Sequence, residues 1–147
     1  MFSSALGFVH GSGGGGDDGD QDMWVAAFGT VRAAWGLVLM AQPALVLDVL
    51  SGGRKGPWGA GWRRTMRVLG ARHLIQGAVT VAGGAAGPDR AEPVLALGML
   101  VDLAHAGTGL ALGFARPNRR QLGHLDATLA LWLAAAGAAL SFRSGRG

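Results

Sequence analysis

The sequence predicts an all-α integral membrane protein, an up-down four-helix bundle preceded by a disordered Gly- and Asp-rich N-terminal tail. Of its residues 50% are hydrophobic and only 15% are charged, and the mean hydropathy is +0.31. The chain contains four apolar stretches, each long enough for a membrane-spanning helix, which needs about 20 residues. Its 27 glycines would weaken water-exposed helices, whereas in a bilayer small residues let helices approach closely.

The N-terminal tail is predicted at residues 1–22. Residues 1–10 carry no Lys or Arg, so they lack the positive start of a secretory signal. The following segment, GSGGGGDDGDQD, is flexible and acidic and cannot bury enough apolar surface to fold. The membrane domain is expected at 23–143, and a short tail at 144–147.

The first helix is predicted at about 24–42 within an apolar run that Arg32, Pro43 and Asp48 interrupt. Residues 44–50 are expected to continue this helix or to form an interfacial turn. The second helix is predicted at about 68–86.

A basic loop, 51–67, separates these two helices. Its charges stand beside Trp58 and Trp62, the combination that is typical of a membrane–water interface. The residues predicted to contact lipid at this interface are Arg54, Lys55, Trp58, Trp62, Arg63 and Arg64. We expect this loop to orient the protein, and a specific lipid or phosphate site is the alternative.

The third helix is predicted at about 93–115, with Pro93 at a tolerated N-terminal position and Arg116–Pro117 after its end. A tight loop, 116–121, leads to the fourth helix at about 122–142.

The loops also predict the orientation of the bundle. Short connections make sequential helices antiparallel. Loops 51–67 and 116–121 carry more Lys and Arg than the N-terminal tail and loop 87–92. The positive-inside rule then predicts cytoplasmic basic loops and both termini outside, although Arg143 and Arg146 favour the reverse.

Polar side chains within the predicted helices form a candidate intramembrane network. Such residues are costly in lipid and should face the interior of the bundle. They are Arg32, Arg72, His73, Gln76, Asp102, His105 and Asp126. Arg72 and Asp102 fall at comparable depth, so we expect them to pair, with His105 one turn farther along its helix.

Three roles for this network stay open. The first is a buried hydrogen-bonded set that fixes helix register. The second is a proton relay through His105 beside Asp102, because His titrates near neutral pH. The third is a metal site built from His73, Asp102 and His105, which adjacent Arg72 would oppose by repelling a cation. Asp126 lies in the first turn of its helix, where it is expected to complement the helix dipole.

Several function classes are excluded by composition. The chain has no cysteine, which excludes disulfide chemistry, iron–sulfur clusters and thiolate zinc sites. The glycines of the basic loop do not match nucleotide-binding patterns. The net charge of +4 comes from short clusters between apolar runs, which indicates anionic lipid as the partner rather than nucleic acid. No cofactor and no resident metal are expected.

Two short segments carry a family resemblance. The stretch from Gly70 to Gly77, GARHLIQG, and the stretch from Val101 to Ala106, VDLAHA, resemble the small uncharacterised four-helix membrane proteins of bacteria of the DoxX-like kind. The resemblance implies a four-helix fold in a bacterial inner membrane and brings no established activity with it. Small multidrug transporters also have four helices, but Arg32 stands in the helix where those proteins carry a Glu.

The functional expectation is a multi-pass protein of the inner membrane that is a non-catalytic accessory or interaction subunit and not an enzyme. Its partners would be the lipid bilayer and either another membrane protein or a second copy of the chain. The alternative is a small transporter or proton-coupled carrier that uses Arg72, Asp102 and His105.

Overall fold

The computed structural model describes residues 17–53, 58–115 and 120–144. Within these ranges the chain forms five α-helices and no strand, so the all-α prediction is confirmed. The helices are α1 (Asp17–Ala41), α2 (Pro43–Leu50), α3 (Ala60–Ala85), α4 (Pro88–Ala115) and α5 (Arg120–Ser144). Most of the predicted tail (1–16), part of the basic loop with Arg54 and Lys55 (54–57), residues 116–119 and residues 145–147 lie outside the described residues.

The first apolar run forms two helices in the structure: α1 covers the predicted helix at 24–42 except for Gln42, and residues 44–50 lie in a separate short helix, α2. Helix α1 begins at Asp17, within the segment expected to be a tail, because acidic residues such as Asp20 are favourable at a helix N-terminus. It ends at Ala41, and Gln42 separates it from α2. Pro43 starts α2 because its missing N–H costs nothing at the first helical position.

Helix α3 begins eight residues before its predicted start, at Ala60 instead of 68. The prediction treated the basic residues there as loop. Arg is nevertheless a good helix former, and Arg63, Arg64 and Arg67 stay exposed along the first turns. The helix ends before Gly87, whose φ of +99° provides the left-handed turn into α4.

The last two helices are also longer than predicted. Helix α4 starts at Pro88, so Pro93 lies inside it rather than at its N-terminus. Helix α5 starts at Arg120 and ends at Ser144, which extends the predicted 122–142 by two residues at each end. Short polar segments beside an apolar run thus continue the helices.

The helices pack as two antiparallel pairs, α1 with α3 and α4 with α5, and the pairs meet mainly between α3 and α4. Glycines bring each pair close together. A Cβ added at Gly36 would lie 2.5 Å from the Gly70 carbonyl oxygen, and one added at Gly123 would lie 2.8 Å from the Gly109 carbonyl oxygen. Such contacts are possible only where side chains are absent.

The two ends of this bundle differ. The end at which α1 stops and α3 begins, called here the basic end, carries Arg63, Arg64 and Arg67. At the opposite end, Val25, Ala91 and Leu95 form a buried apolar cluster.

Three of the helices contain segments long and apolar enough to cross a membrane: Asp22–Ala41, Asp89–Ala115 and Gly123–Phe142. Helix α3 was predicted to be a fourth span, and it does not reach the same apolar content because Arg72, His73 and Gln76 lie in its middle.

Candidate functional site

A cluster of charged side chains lies inside the bundle where α1, α3 and α4 meet. The close approach of α1 and α3 at their glycines brings Arg32, which lies between Gly29 and Gly36, against α3. Asp102 approaches from α4. The set formed by Arg32, Arg72, Gln76 and Asp102 is called here the Arg–Asp cluster.

Asp102 is the centre of this cluster. Arg32 Nη2 donates to both of its carboxylate oxygens, at 2.5 and 2.6 Å, and Arg72 Nη2 donates to Oδ1 at 2.5 Å. Gln76 Oε1 accepts from Arg32 Nη2 at 2.7 Å and from Arg72 Nε at 3.2 Å. The contact predicted between Arg72 and Asp102 is therefore present, and Arg32 joins it as a second cation.

Burial makes the cluster energetically important. The side chains of Arg32 and Asp102 are 2% and 0% exposed, while that of Arg72 is 22% exposed. Two guanidinium groups share one carboxylate, so the cluster has a net charge of +1. Arg32 also lies 5.9 Å from the centre of the Phe28 ring, where a cation is attracted to the π face.

His73, also predicted for this network, is buried beside Arg72, and its Nδ1 has no hydrogen-bond partner within the part of the chain that the structure describes. Its position on α3 explains this, because Arg72 and Gln76 are four residues apart and share a face, whereas His73 is rotated from that face.

His105 and Asp126 form a second charged contact, between α4 and α5. His105 Nε2 lies 2.8 Å from Asp126 Oδ2, and both side chains are about one quarter exposed. The N–H direction is not aligned for a hydrogen bond, so this is a close polar contact rather than an ideal donor–acceptor pair. Because α5 begins at Arg120, Asp126 lies beyond the first turn and the predicted helix-dipole role is wrong; its partner is instead His105 on α4.

A cavity of about 470 Å³ opens between the two helix pairs at the basic end. Its walls are mostly apolar, and its polar groups come from Trp35, Thr65, His105, Thr108 and Asp126. Because His105 is one turn from Asp102 on α4, the cavity ends next to the Arg–Asp cluster.

Sequence reasoning did not identify Trp35 and Thr65 as site residues. Trp35 lies three residues after Arg32, which places both on one face of α1. That spacing was a usable signal. The sequence contained no comparable signal for Thr65, because its segment was predicted to be a loop.

The predicted interfacial residues lie at the basic end where they are described. Trp58 Nε1 donates to Asp48 Oδ1 at 2.6 Å, and the Trp58 and Trp62 rings pack edge to face with centres 6.3 Å apart. This contact joins α2 to the start of α3. Arg63 and Arg64 are exposed beside it, while Arg54 and Lys55 lie outside the described residues.

Within the described ranges 17–53, 58–115 and 120–144, no group of three or more His, Asp or Glu side chains is arranged to hold a metal ion. In particular, His73, Asp102 and His105 do not converge on one point.

Comparison of the chain with protein-family models, with curated proteins and with solved structures gives no match.

Proposed function

We propose that this chain is an integral membrane protein that crosses the bilayer four times and acts as a small carrier. The membrane assignment rests on an inverted distribution of polarity. Large apolar side chains face outward on all four long helices, as at Val31, Ile75, Leu97 and Trp132, the last of which is 72% exposed. The carboxylate of Asp102 is completely buried. A protein in water would be expected to have the reverse arrangement.

Helix α3 is proposed as the fourth span although it is the least apolar. It has 26 residues, which is about 39 Å at roughly 1.5 Å per residue and enough to cross a bilayer. It packs against α1 from Gly84, beside Val25, to Gly70, beside Gly36. If α1 crosses the bilayer, its neighbour must lie at the same depth, and the polar residues of α3 then face Asp102 rather than lipid.

The proposed orientation follows the exposed cations. Arg63, Arg64 and Arg67 stand at the basic end, which places that end at the cytoplasm by the positive-inside rule. Both termini would then be outside. The resemblance to small DoxX-like proteins agrees with a bacterial inner membrane.

The single observation that favours a carrier is the difference between the two ends of the bundle. The end with Val25, Ala91 and Leu95 is closed by close packing. The basic end has a cavity of about 470 Å³. Between them stands the Arg–Asp cluster, with Arg32 and Asp102 buried. A cavity open to one side and closed at the middle is the arrangement that alternating access requires.

The carrier proposal can be tested in a chain that has no native cysteine. Thr65→Cys probes the cavity, and Ala91→Cys probes the closed end. A carrier should let a membrane-impermeant maleimide label Thr65→Cys from the cytoplasmic side and Ala91→Cys, more slowly, from the other side. Labelling at position 91 that never rises above background in folded protein would contradict alternating access. An exposed position on the same helix turn, Arg90→Cys, is the control for reagent access.

The accessory role remains the second candidate, supported by the exposed apolar faces that a partner helix could cover. Purification of the tagged protein in mild detergent distinguishes the two roles. A stoichiometric membrane-protein partner would favour the accessory role, and a homo-oligomer or monomer without one would favour the carrier.

A further inference from the structure

The cavity at the basic end has the size and wall chemistry of a site for an apolar chain. Its volume of about 470 Å³ lies in the lower part of the range of roughly 300–1,000 Å³ that holds small molecules. Four helices supply its apolar walls, which include Leu39, Leu47, Met66, Leu69 and Leu129. Such walls fit one aliphatic chain and give it no directional contact.

The polar residues that line the cavity do not favour a negatively charged group inside it. Thr65 and Thr108 donate their hydroxyl hydrogens to carbonyl oxygens of their own helices, at 3.1 and 2.9 Å. The Asp126 carboxylate, which lies 2.8 Å from His105 Nε2, would repel an anion. An anionic ligand therefore inserts only an apolar part, and its charged group stays at the mouth of the cavity.

The buried charges of the bundle do not decide the sign of the ligand. Arg32 and Arg72 are balanced by Asp102 and Asp126 when the histidines are neutral. The interior of the bundle is thus neutral as a whole, and the charges outside it determine which ligand is attracted to the cavity.

The basic end of the bundle is positively charged. Its exposed cations among the described residues are Arg63, Arg64 and Arg67. Asp48 is the acidic side chain described at this end, and it accepts a hydrogen bond from Trp58 at 2.6 Å. In the sequence, the segments 51–67 and 116–121 contain five and three Lys or Arg and no Asp or Glu. An anion is therefore attracted to the end at which the cavity opens.

Two of these arginines lie beside the cavity on α3. The face of α3 that lines the cavity runs from Gly61 at one edge to Met66 at the other. Arg64 follows Gly61 by three residues and Arg63 precedes Met66 by three, so each arginine neighbours one edge of that face. Arginine side chains keep the guanidinium group in water while the stem lies along apolar surface. The guanidinium group binds carboxylate and phosphate oxygens through parallel hydrogen bonds.

We propose that the cavity holds the hydrocarbon chain of a single-chain anionic amphiphile of the bilayer, whose carboxylate or phosphate group stays at the mouth with Arg63 and Arg64. The inference rests on the proposed membrane carrier and names the class of molecule that it would move, because such a ligand reaches the cavity from the bilayer.

The test uses the full chain in nanodiscs of phosphatidylcholine, which has no net charge, and three brominated probes with the same alkyl chain. These are bromoundecylphosphonate, bromoundecanol and bromoundecyltrimethylammonium. Bromine quenches tryptophan fluorescence, and Trp35 and Trp62 line the cavity. The phosphonate should quench saturably with a half-saturation concentration roughly fivefold lower than that of the alcohol, and the ammonium probe should bind more weakly than the alcohol. Added salt should reduce the advantage of the phosphonate.

Charge variants test the position of the anionic group. The double variant Arg63→Gln/Arg64→Gln should raise the half-saturation concentration for the phosphonate roughly fivefold, to that of the alcohol, and leave the alcohol unchanged. Arg90→Gln is the matched control, because Arg90 is exposed at the opposite end of the bundle. It should change neither probe.

A second pair of variants tests the cavity itself. A Cβ added at Gly61 has no atom within 4 Å, and Gly61 lines the cavity, so Gly61→Leu should fill it without displacing the backbone. Saturable quenching by every probe should then be lost. Gly107 also has open space around it but lies outside the cavity lining, so Gly107→Leu should bind all three probes as the wild type does.

The comparison of the three probes on the wild-type chain needs no variant, so the test stands even if a variant does not fold. Quenching that rises linearly for every probe would show partition into lipid only and would overturn the site. Tighter binding of the alcohol or the ammonium probe than of the phosphonate would overturn the anionic class. Displacement of the phosphonate by inorganic phosphate would show a site for free anions and would overturn the role of the chain.

The ligand site and the carrier proposal fail in different ways. Saturable phosphonate binding without labelling of Ala91→Cys would overturn the carrier proposal and leave the ligand site intact. Labelling of Ala91→Cys without saturable binding of the phosphonate would overturn the ligand site and leave the carrier proposal intact.

Discussion

Replacing Asp102 with Asn should destabilise the protein more than replacing either arginine that contacts it. The reason is the net charge of the Arg–Asp cluster. Asp102→Asn leaves two cations without a carboxylate, one of them with a side chain that is only 2% exposed. Arg32→Gln or Arg72→Gln leaves one cation paired with Asp102.

The magnitudes follow from burial. An uncompensated charge inside a protein costs about 3–5 kcal/mol, which is the expected loss for Asp102→Asn. Arg32→Gln removes the hydrogen bonds of Arg32 to Gln76 and to both Asp102 oxygens yet leaves a neutral pair, so a loss of about 2–3 kcal/mol is expected. Arg72 is 22% exposed, and its replacement should cost about 1–2 kcal/mol.

The assay is unfolding of purified protein in mild detergent, followed by far-ultraviolet circular dichroism. Asp89→Asn is the matched control, since Asp89 is exposed at the start of α4 and should change the free energy of unfolding by less than about 0.5 kcal/mol. The double variant Asp102→Asn/Arg32→Gln should lose about 1–3 kcal/mol less than the sum of the two single losses.

Two results would refute this reasoning. Strict additivity in the double variant would mean that Arg32 and Asp102 do not interact. A loss for Asp102→Asn no larger than that for Arg72→Gln would mean that water reaches the cluster and replaces the carboxylate.

Three further predictions concern the packing and use the same unfolding assay. Gly36→Ala should cost about 1–3 kcal/mol because its Cβ would lie 2.5 Å from α3 backbone atoms, whereas Gly107→Ala, with open space around it, should be neutral or slightly stabilising. Gly87→Ala should cost about 1–3 kcal/mol because φ there is +99°. Trp58→Phe should cost about 1 kcal/mol by removing the 2.6 Å hydrogen bond to Asp48. A loss no larger than that caused by replacing an exposed Phe or Trp elsewhere in the chain would contradict this contact.

The helical class was predictable because hydrophobic runs, glycines and polar breaks are local features of the sequence. The ends of the helices were harder to predict. Whether a basic segment such as Arg63–Arg64 continues a helix depends on what it packs beside, and Trp62 packs against the core cluster that includes Leu47 and Met66. The break at Gln42 comes directly before Pro43, which the prediction recognised as an interruption of the apolar run. The prediction did not assign α2 as a separate helix.

The site was partly predictable for the same reason. Arg72 and Asp102 were predicted to be neighbours because they lie at comparable depth in two antiparallel helices. It could not show that Arg32 is the more buried partner, since that depends on how closely Gly36 and Gly70 let α1 approach α3. The cavity could not be predicted from the sequence. It lies between the two helix pairs, and no sequence pattern specifies how far apart the two pairs stand.

The most direct test of the account is whether α3 crosses the membrane, because this helix carries most of the polar residues that the bundle must cover. Single cysteines at Gly59 and Asp89 stand before and after it; both positions are exposed, and the φ of −60° at Gly59 accommodates a side chain. In intact cells and in inverted vesicles, an impermeant maleimide should label Gly59→Cys only from the cytoplasmic side and Asp89→Cys only from the opposite side. Labelling of both positions from one side would mean that α3 does not span the bilayer, and the buried cluster, the cavity and the carrier proposal would lose their common basis.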